Sequence, residues 1–179
     1  MAMFSLVHAS RLGRVSILLA TCGLILAIIA VATPYWRASD ILHMGLWETC
    51  EKSICRRLYT SDTLKARLSD GVDGWFQCVE VLETIGMTFS LGAVIVIGLY
   101  ACVPDVSSPT VAGWGVVTSV VSGVTILVGT VIYSQKTSSI HALDLSWSFA
   151  LAIVSGCLQC LAGFLLILTV RQKRRVDDM

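Results

Sequence analysis

Residues Tyr35–Cys55 read YWRASDILHMGLWETCEKSIC. Tyr35 and Trp36 are amphipathic aromatics of the kind that settle at a membrane–water boundary. The polar residues after them open an exposed loop. Cys50 and Cys55 have four residues between them, and in an oxidising compartment they close a small covalent loop. Immediately before this stretch, Val15 to Thr33 runs VSILLATCGLILAIIAVAT with no charge. Nineteen residues at a helical rise span about 28 Å, enough to cross the hydrocarbon core of a bilayer.

The whole chain fits that reading. It has 179 residues, of which 55% are hydrophobic and 14% charged, too apolar for an ordinary soluble domain. A net charge of +1, with no basic patch interleaved with aromatics outside the tail, argues against nucleic acid. There is no Asn, hence no N-glycosylation acceptor. Pro-rich, Gln-rich and repeated segments are also missing.

Taken in order, residues 1–14 carry Arg11 and Arg14 and no acid, and form a cytoplasmic amino terminus. Residues 15–33 are the first span. A cleavable signal peptide competes with it, because Ala30-Val31-Ala32 resembles a cleavage site, but the apolar run is longer than a typical signal core. Residues 34–78 are the one long polar segment, with six basic residues and six acids. Its first part suits short strands, and Ser61–Ser69 suits a short helix with Leu64 and Leu68 on one face. Asp70-Gly71 and Asp73-Gly74 are turn signals, after which Trp75 and Phe76 mark the return to the membrane surface.

Residues 79–101 form the second span, with Glu80 and Glu83 expected as a solvated helix start near the interface. A cytoplasmic loop follows at 102–110, a third span at 111–133, a second external loop at 134–147, a fourth span at 148–170 and a cytoplasmic tail at 171–179. The amino terminus and the Arg171–Arg175 cluster share one side, which the positive-inside rule assigns to the cytoplasm. Residues 34–78 and 134–147 then face outward. The expected fold class is an all-α membrane protein: a four-helix transmembrane bundle with a small extracellular antiparallel β-sheet.

Four spans with internal termini, Trp36, Gly45-Leu46-Trp47, Cys50 and Cys55 together resemble the superfamily of claudins, peripheral myelin protein and epithelial membrane proteins, over nearly the whole chain. The close spacing of Cys50 and Cys55, and Ser146-Trp147-Ser148-Phe149 at the last span, look closer to lens fibre intrinsic membrane protein and claudin-domain-like members than to true claudins. Gly74-Trp75-Phe76-Gln77-Cys78 also lacks the arginine that claudins usually carry there. The resemblance implies a small sheet over the bundle, with Trp36 and Gly45-Leu46-Trp47 anchoring it to the membrane face. Gly45 would permit close approach or positive φ, while Leu46 and Trp47 supply apolar area.

Other residues carry less. Cys78 is the odd cysteine at the outer boundary, free or paired between molecules. Cys157 and Cys160 spell a redox motif inside an apolar span and read as two small packing residues. Cys102, at the inner end of the second span, is a candidate palmitoylation site. Gly115, Ser119 and Gly123, and Ala152, Gly156 and Cys160, recur every four residues and allow close helix packing within one monomer. Gln159, deep in a span, reads as an interhelical hydrogen-bonding group. No catalytic constellation, cofactor fingerprint or metal-ligand spacing is present, so the reading is not an enzyme and has no small-molecule substrate. The expected partners are membrane lipid and other membrane proteins, met by homo- or hetero-association through the external loops. The expected role is cell–cell adhesion, cell junction or membrane organisation at the plasma membrane. The alternative is an auxiliary regulatory subunit of a channel or receptor. Trp47 is expected to pack as part of a fixed turn, with partner contact as the other possibility.

Overall fold

A computed structural model describes residues 11–52, 54–57, 73–103, 108–137 and 144–177. The short helix expected at 61–69 and the turn at Asp70-Gly71 lie outside them. Helix α1 is Arg11–Ala32, α2 is Asp73–Cys102, α3 is Pro109–Thr137 and α4 is Trp147–Asp177. All four are long and apolar enough to cross a membrane.

The helices pack through their small residues. Gly13, Ser16, Ala20, Gly23, Ala27 and Ala30 of α1 are buried, a stripe at three- and four-residue spacing, whereas Leu18, Ile25 and Ile28 are exposed. In lipid the large apolar side chains gain nothing by leaving the hydrocarbon, so close backbone approach and interhelical hydrogen bonds hold the bundle instead. Ser16 donates to the Ala162 carbonyl at 2.7 Å, Ser155 to Gly23 at 2.8 Å and Ser122 to Gly86 at 2.8 Å. Gln159 Nε2 donates to the Ala20 carbonyl at 3.0 Å and to the Ser90 hydroxyl, joining α4 to α1 and α2. Other hydroxyls turn back on their own helix, as Thr21 does on Ile17 at 2.8 Å, which keeps polar groups satisfied away from water.

The α3–α4 contact shows why the four-residue pattern is there. A Cβ on Gly123 would fall 2.7 Å from the Gly156 carbonyl oxygen and 3.0 Å from the Cys160 nitrogen. These residues pack helix against helix inside one chain. Cys160 takes part in this packing. Cys157 does not: it is exposed on the bundle surface, so only one of the pair behaves as the expected packing residue.

Helix α3 starts at Pro109, whose fixed φ suits a first helical position. Ser108 caps it, its hydroxyl accepting from the Val111 nitrogen at 3.3 Å. Helix α2 starts earlier than the turn signal at Asp73-Gly74 predicts. Those two residues form its first turn, so Trp75 and Phe76 lie on the helix.

Among the described residues five short strands cap one end of the bundle: β1 Arg37–Ala38, β2 Leu42–Met44, β3 Glu48–Glu51, β4 Ile54–Arg57 and β5 Asp144–Leu145. Every pairing is antiparallel, in the order β4-β3-β2-β1-β5. The strand preceding α4 thus completes a sheet begun after α1, and the Ser146 nitrogen donating to the Trp36 carbonyl at 3.0 Å closes the join.

Candidate functional site

The sheet is positioned by the residue that follows Tyr35. Trp36 is fully buried, and its indole N–H donates to the Ala30 carbonyl at 2.7 Å. Its ring meets Tyr133 of α3 edge-on at 5.0 Å and Phe149 of α4 at 5.8 Å. Phe76 of α2 joins the same apolar cluster. All four helices therefore converge on one aromatic knot beneath the sheet. Such rings bring large buried area and prefer edge-to-face geometry.

Arg37 is also buried at this level. Its Nη1 donates to the Thr137 carbonyl at 2.6 Å, at the end of α3. A guanidinium is well suited to the unpaired carbonyls that end a helix. Nothing in the sequence separates Arg37 from the exposed arginines nearby, except that it directly follows the buried tryptophan.

Gly45 is needed for close approach. A Cβ there would lie 2.5 Å from the Pro34 Cα and 2.9 Å from the Thr33 carbonyl oxygen. Leu46 is fully buried. Trp47 departs from the expectation that it packs inside: it is 37% exposed, because the strand begins at Glu48 and the chain has turned Leu46 inward by that point. The family triplet thus splits. Gly45 and Leu46 seat the sheet with Trp36, and Trp47 faces out.

Cys50 and Cys55 are directly opposite one another in β3 and β4, and a disulfide joins them. Strand β4 is exposed along its described length. At the base of this hairpin Glu48 is paired with Arg57, Oε1 to Nε 3.6 Å. At its far end Lys52 takes a positive φ of 54° and donates its backbone N–H to the Ile41 carbonyl at 2.8 Å. That bond ties the β1–β2 turn to the β3–β4 turn. Ile41 and Ile54 sit on this distal rim, 54% and 62% exposed. On the other side of the sheet Tyr35 stacks on Trp147 at 5.4 Å and meets His43 at 4.7 Å.

Glu80 and Glu83 correct another expectation. Neither is a solvated helix start: both are buried. Because α2 begins at Asp73, they lie in its second and third turns rather than at its end. Their i, i+3 spacing puts them on one face, and a Cβ on Gly129 would fall 2.6 Å from Glu83 Oε1. The space that Gly129 leaves in α3 is what receives the carboxylate. Cys78 is an exposed free thiol, and Cys102 is a half-buried one at the other end of α2. Among the described residues no three His, Cys, Asp or Glu side chains group as metal ligands.

Four apolar helices carrying a disulfide-stapled antiparallel sheet at one end define a four-span membrane protein of the claudin-like class. The model of the PMP-22/EMP/MP20/Claudin family matches residues 10–166, and the chain belongs to that family. No individual curated protein matches it by sequence.

Proposed function

We propose that the chain works at the plasma membrane in cell–cell adhesion, a cell junction or membrane organisation, with both termini in the cytoplasm and the sheet outside. It has no catalytic role in this reading. The observation that carries it is the distal rim. Ile41 and Ile54 are bulky, apolar and exposed, yet the Lys52–Ile41 bond and the Cys50–Cys55 bridge hold the two turns in fixed relation. Apolar side chains presented rigidly lose little entropy on association. The flanking Asp40, Glu51 and Lys52 are exposed as well, giving the polar border usual around an apolar contact.

Two populations of cells bearing differently labelled chains test the reading. The unaltered chain should join the two populations, and the Ile41→Asp, Ile54→Asp double variant should not, at equal surface amounts. Equal joining by the double variant would sink the rim's role. A channel or receptor co-purifying in fixed ratio, with no joining of cells by either chain, would favour the auxiliary-subunit reading instead. The same cells test the orientation: tags at either terminus should stain only after permeabilisation.

A further inference from the structure

At the end of the bundle away from the sheet, a cavity of about 320 Å³ opens between the start of α3 and the end of α4. Ala112, Gly113 and Val116 line it from α3, and Ile167, Val170 and Arg171 line it from α4. Toward the bilayer centre the two helices close on each other, since a Cβ on Gly163 would lie 3.2 Å from a Val120 methyl carbon. At Gly113, by contrast, a Cβ would meet nothing within 4 Å, so the missing side chain leaves the groove unfilled. Phe164 shares a face of α4 with Ile167 and Arg171 at three- and four-residue spacing, and it is exposed. A hydrocarbon chain entering the groove therefore continues along apolar surface.

Among the described residues lining the cavity, Arg171 is the one that carries a charge, and it is exposed. A guanidinium binds phosphate oxygens by paired, charge-assisted hydrogen bonds. Pro109, in the first turn of α3, borders the same cavity, so the positive end of that helix dipole adds to the arginine. The surroundings have the same sign: residues 1–14, 103–108 and 171–179 together hold six Lys or Arg and three Asp. An apolar groove ending at a cation, at the edge of a spanning segment, complements a lipid whose headgroup is negative. The ammonium of a zwitterionic headgroup would meet only positive charge in this lining.

We propose that this cavity holds an anionic phospholipid in the leaflet opposite the sheet, its phosphate on Arg171 and the upper part of one acyl chain between Val116 of α3 and Ile167 of α4. The lipid wedges the two helix ends apart where Gly113 leaves room. The inference stands apart from the adhesion reading, since it needs only that α3 and α4 cross the bilayer.

The test uses the full chain purified in mild detergent, with bound lipid counted by native mass spectrometry during titration with palmitoyl-oleoyl phosphatidylserine or the matching phosphatidylcholine. The unaltered chain should retain phosphatidylserine more tightly. Arg171→Gln should weaken that retention about tenfold, the scale of a hydrogen bond to a charged group. Gly113→Leu fills the groove and keeps the charge, and it should also weaken retention. Arg175→Gln removes the same charge from the same helix without touching the cavity, and it should weaken retention clearly less than Arg171→Gln. Equal losses for the two arginine variants, with none for Gly113→Leu, would overturn the cavity in favour of diffuse attraction to a basic surface. Equal retention of the two lipids by the unaltered chain would overturn the anionic headgroup. Displacement of phosphatidylserine by an equal concentration of inorganic phosphate would overturn the lipid as the occupant.

Discussion

The indole nitrogen of Trp36 donates to the carbonyl of Ala30 at 2.7 Å, six residues back along the chain. Ala30 is in the last turn of α1, where carbonyls have no partner within the helix. One side chain thus ends the helix, turns the chain and starts the sheet. The same ring fills the centre of the aromatic knot made with Tyr133 and Phe149.

Trp36→Ala should therefore cost about 3–5 kcal/mol, as truncation of a fully buried aromatic does. Trp36→Phe keeps most of the apolar area and loses the hydrogen bond, at about 1–3 kcal/mol. Trp47→Ala should lower the melting temperature clearly less than Trp36→Ala, because Trp47 is 37% exposed whereas Trp36 is fully buried. Thermal unfolding of the three variants in one detergent checks the order. Equal losses for Trp36→Ala and Trp47→Ala would contradict the split of the triplet.

Much of this was legible in the residues. Four apolar runs and the Trp36…Gly45-Leu46-Trp47…Cys50…Cys55 pattern give the helices and place the sheet. Burial at the bundle's end was less legible, because charge alone does not report it. Glu80 and Glu83 look like interfacial carboxylates until α2 is seen to start at Asp73, and Gly129 is then what makes room for Glu83. Arg37 looks like any loop arginine until Trp36 pulls it inward to the end of α3. Trp47 and Leu46 are adjacent apolar residues, and only the turn between β2 and β3 decides which one faces the core.

The Cys50–Cys55 bridge closes a short loop, so on the chain-entropy model its removal should cost about 2 kcal/mol. Replacing both cysteines by serine should lower the melting temperature while leaving helical content intact, as measured by far-ultraviolet circular dichroism. Peptide mapping without reduction should show Cys50 linked to Cys55 and Cys78 free. Alkylation of both Cys50 and Cys55 in the unreduced, folded protein would contradict the bridge.

Gln159 joins three helices through its two donated bonds. Gln159→Leu removes them while keeping similar volume. Hydrogen bonds between membrane helices contribute about 0.6 kcal/mol on average and up to about 1.7, so the loss should be modest. Ser90→Ala should cost little more on a Gln159→Leu background than nothing, because its partner has already gone. A double-mutant cycle in thermal or denaturant unfolding measures this. Fully additive losses would mean that the two side chains do not cooperate.

Gly123 and Gly113 lie on the same helix, ten residues apart, and differ in what surrounds them. A Cβ at Gly123 would press on the Cys160 thiol and also on the Gly156 carbonyl and the Cys160 nitrogen, two backbone atoms that cannot swing away, whereas a Cβ at Gly113 would meet nothing within 4 Å. Alanine is the better helix former by about 1 kcal/mol, so Gly113→Ala should be neutral or stabilising. Gly123→Ala should destabilise despite that gain, because α3 and α4 must move apart and lose packing along their length; overpacking of this kind costs about 1–3 kcal/mol. Cys160→Ala should rescue it only in part, since it removes the thiol but leaves the Gly156 carbonyl and the Cys160 nitrogen in the way. Unfolding midpoints for the two alanine variants and the Gly123→Ala, Cys160→Ala pair decide the matter. If the pair regains full stability, the thiol rather than the backbone sets the distance between the helices.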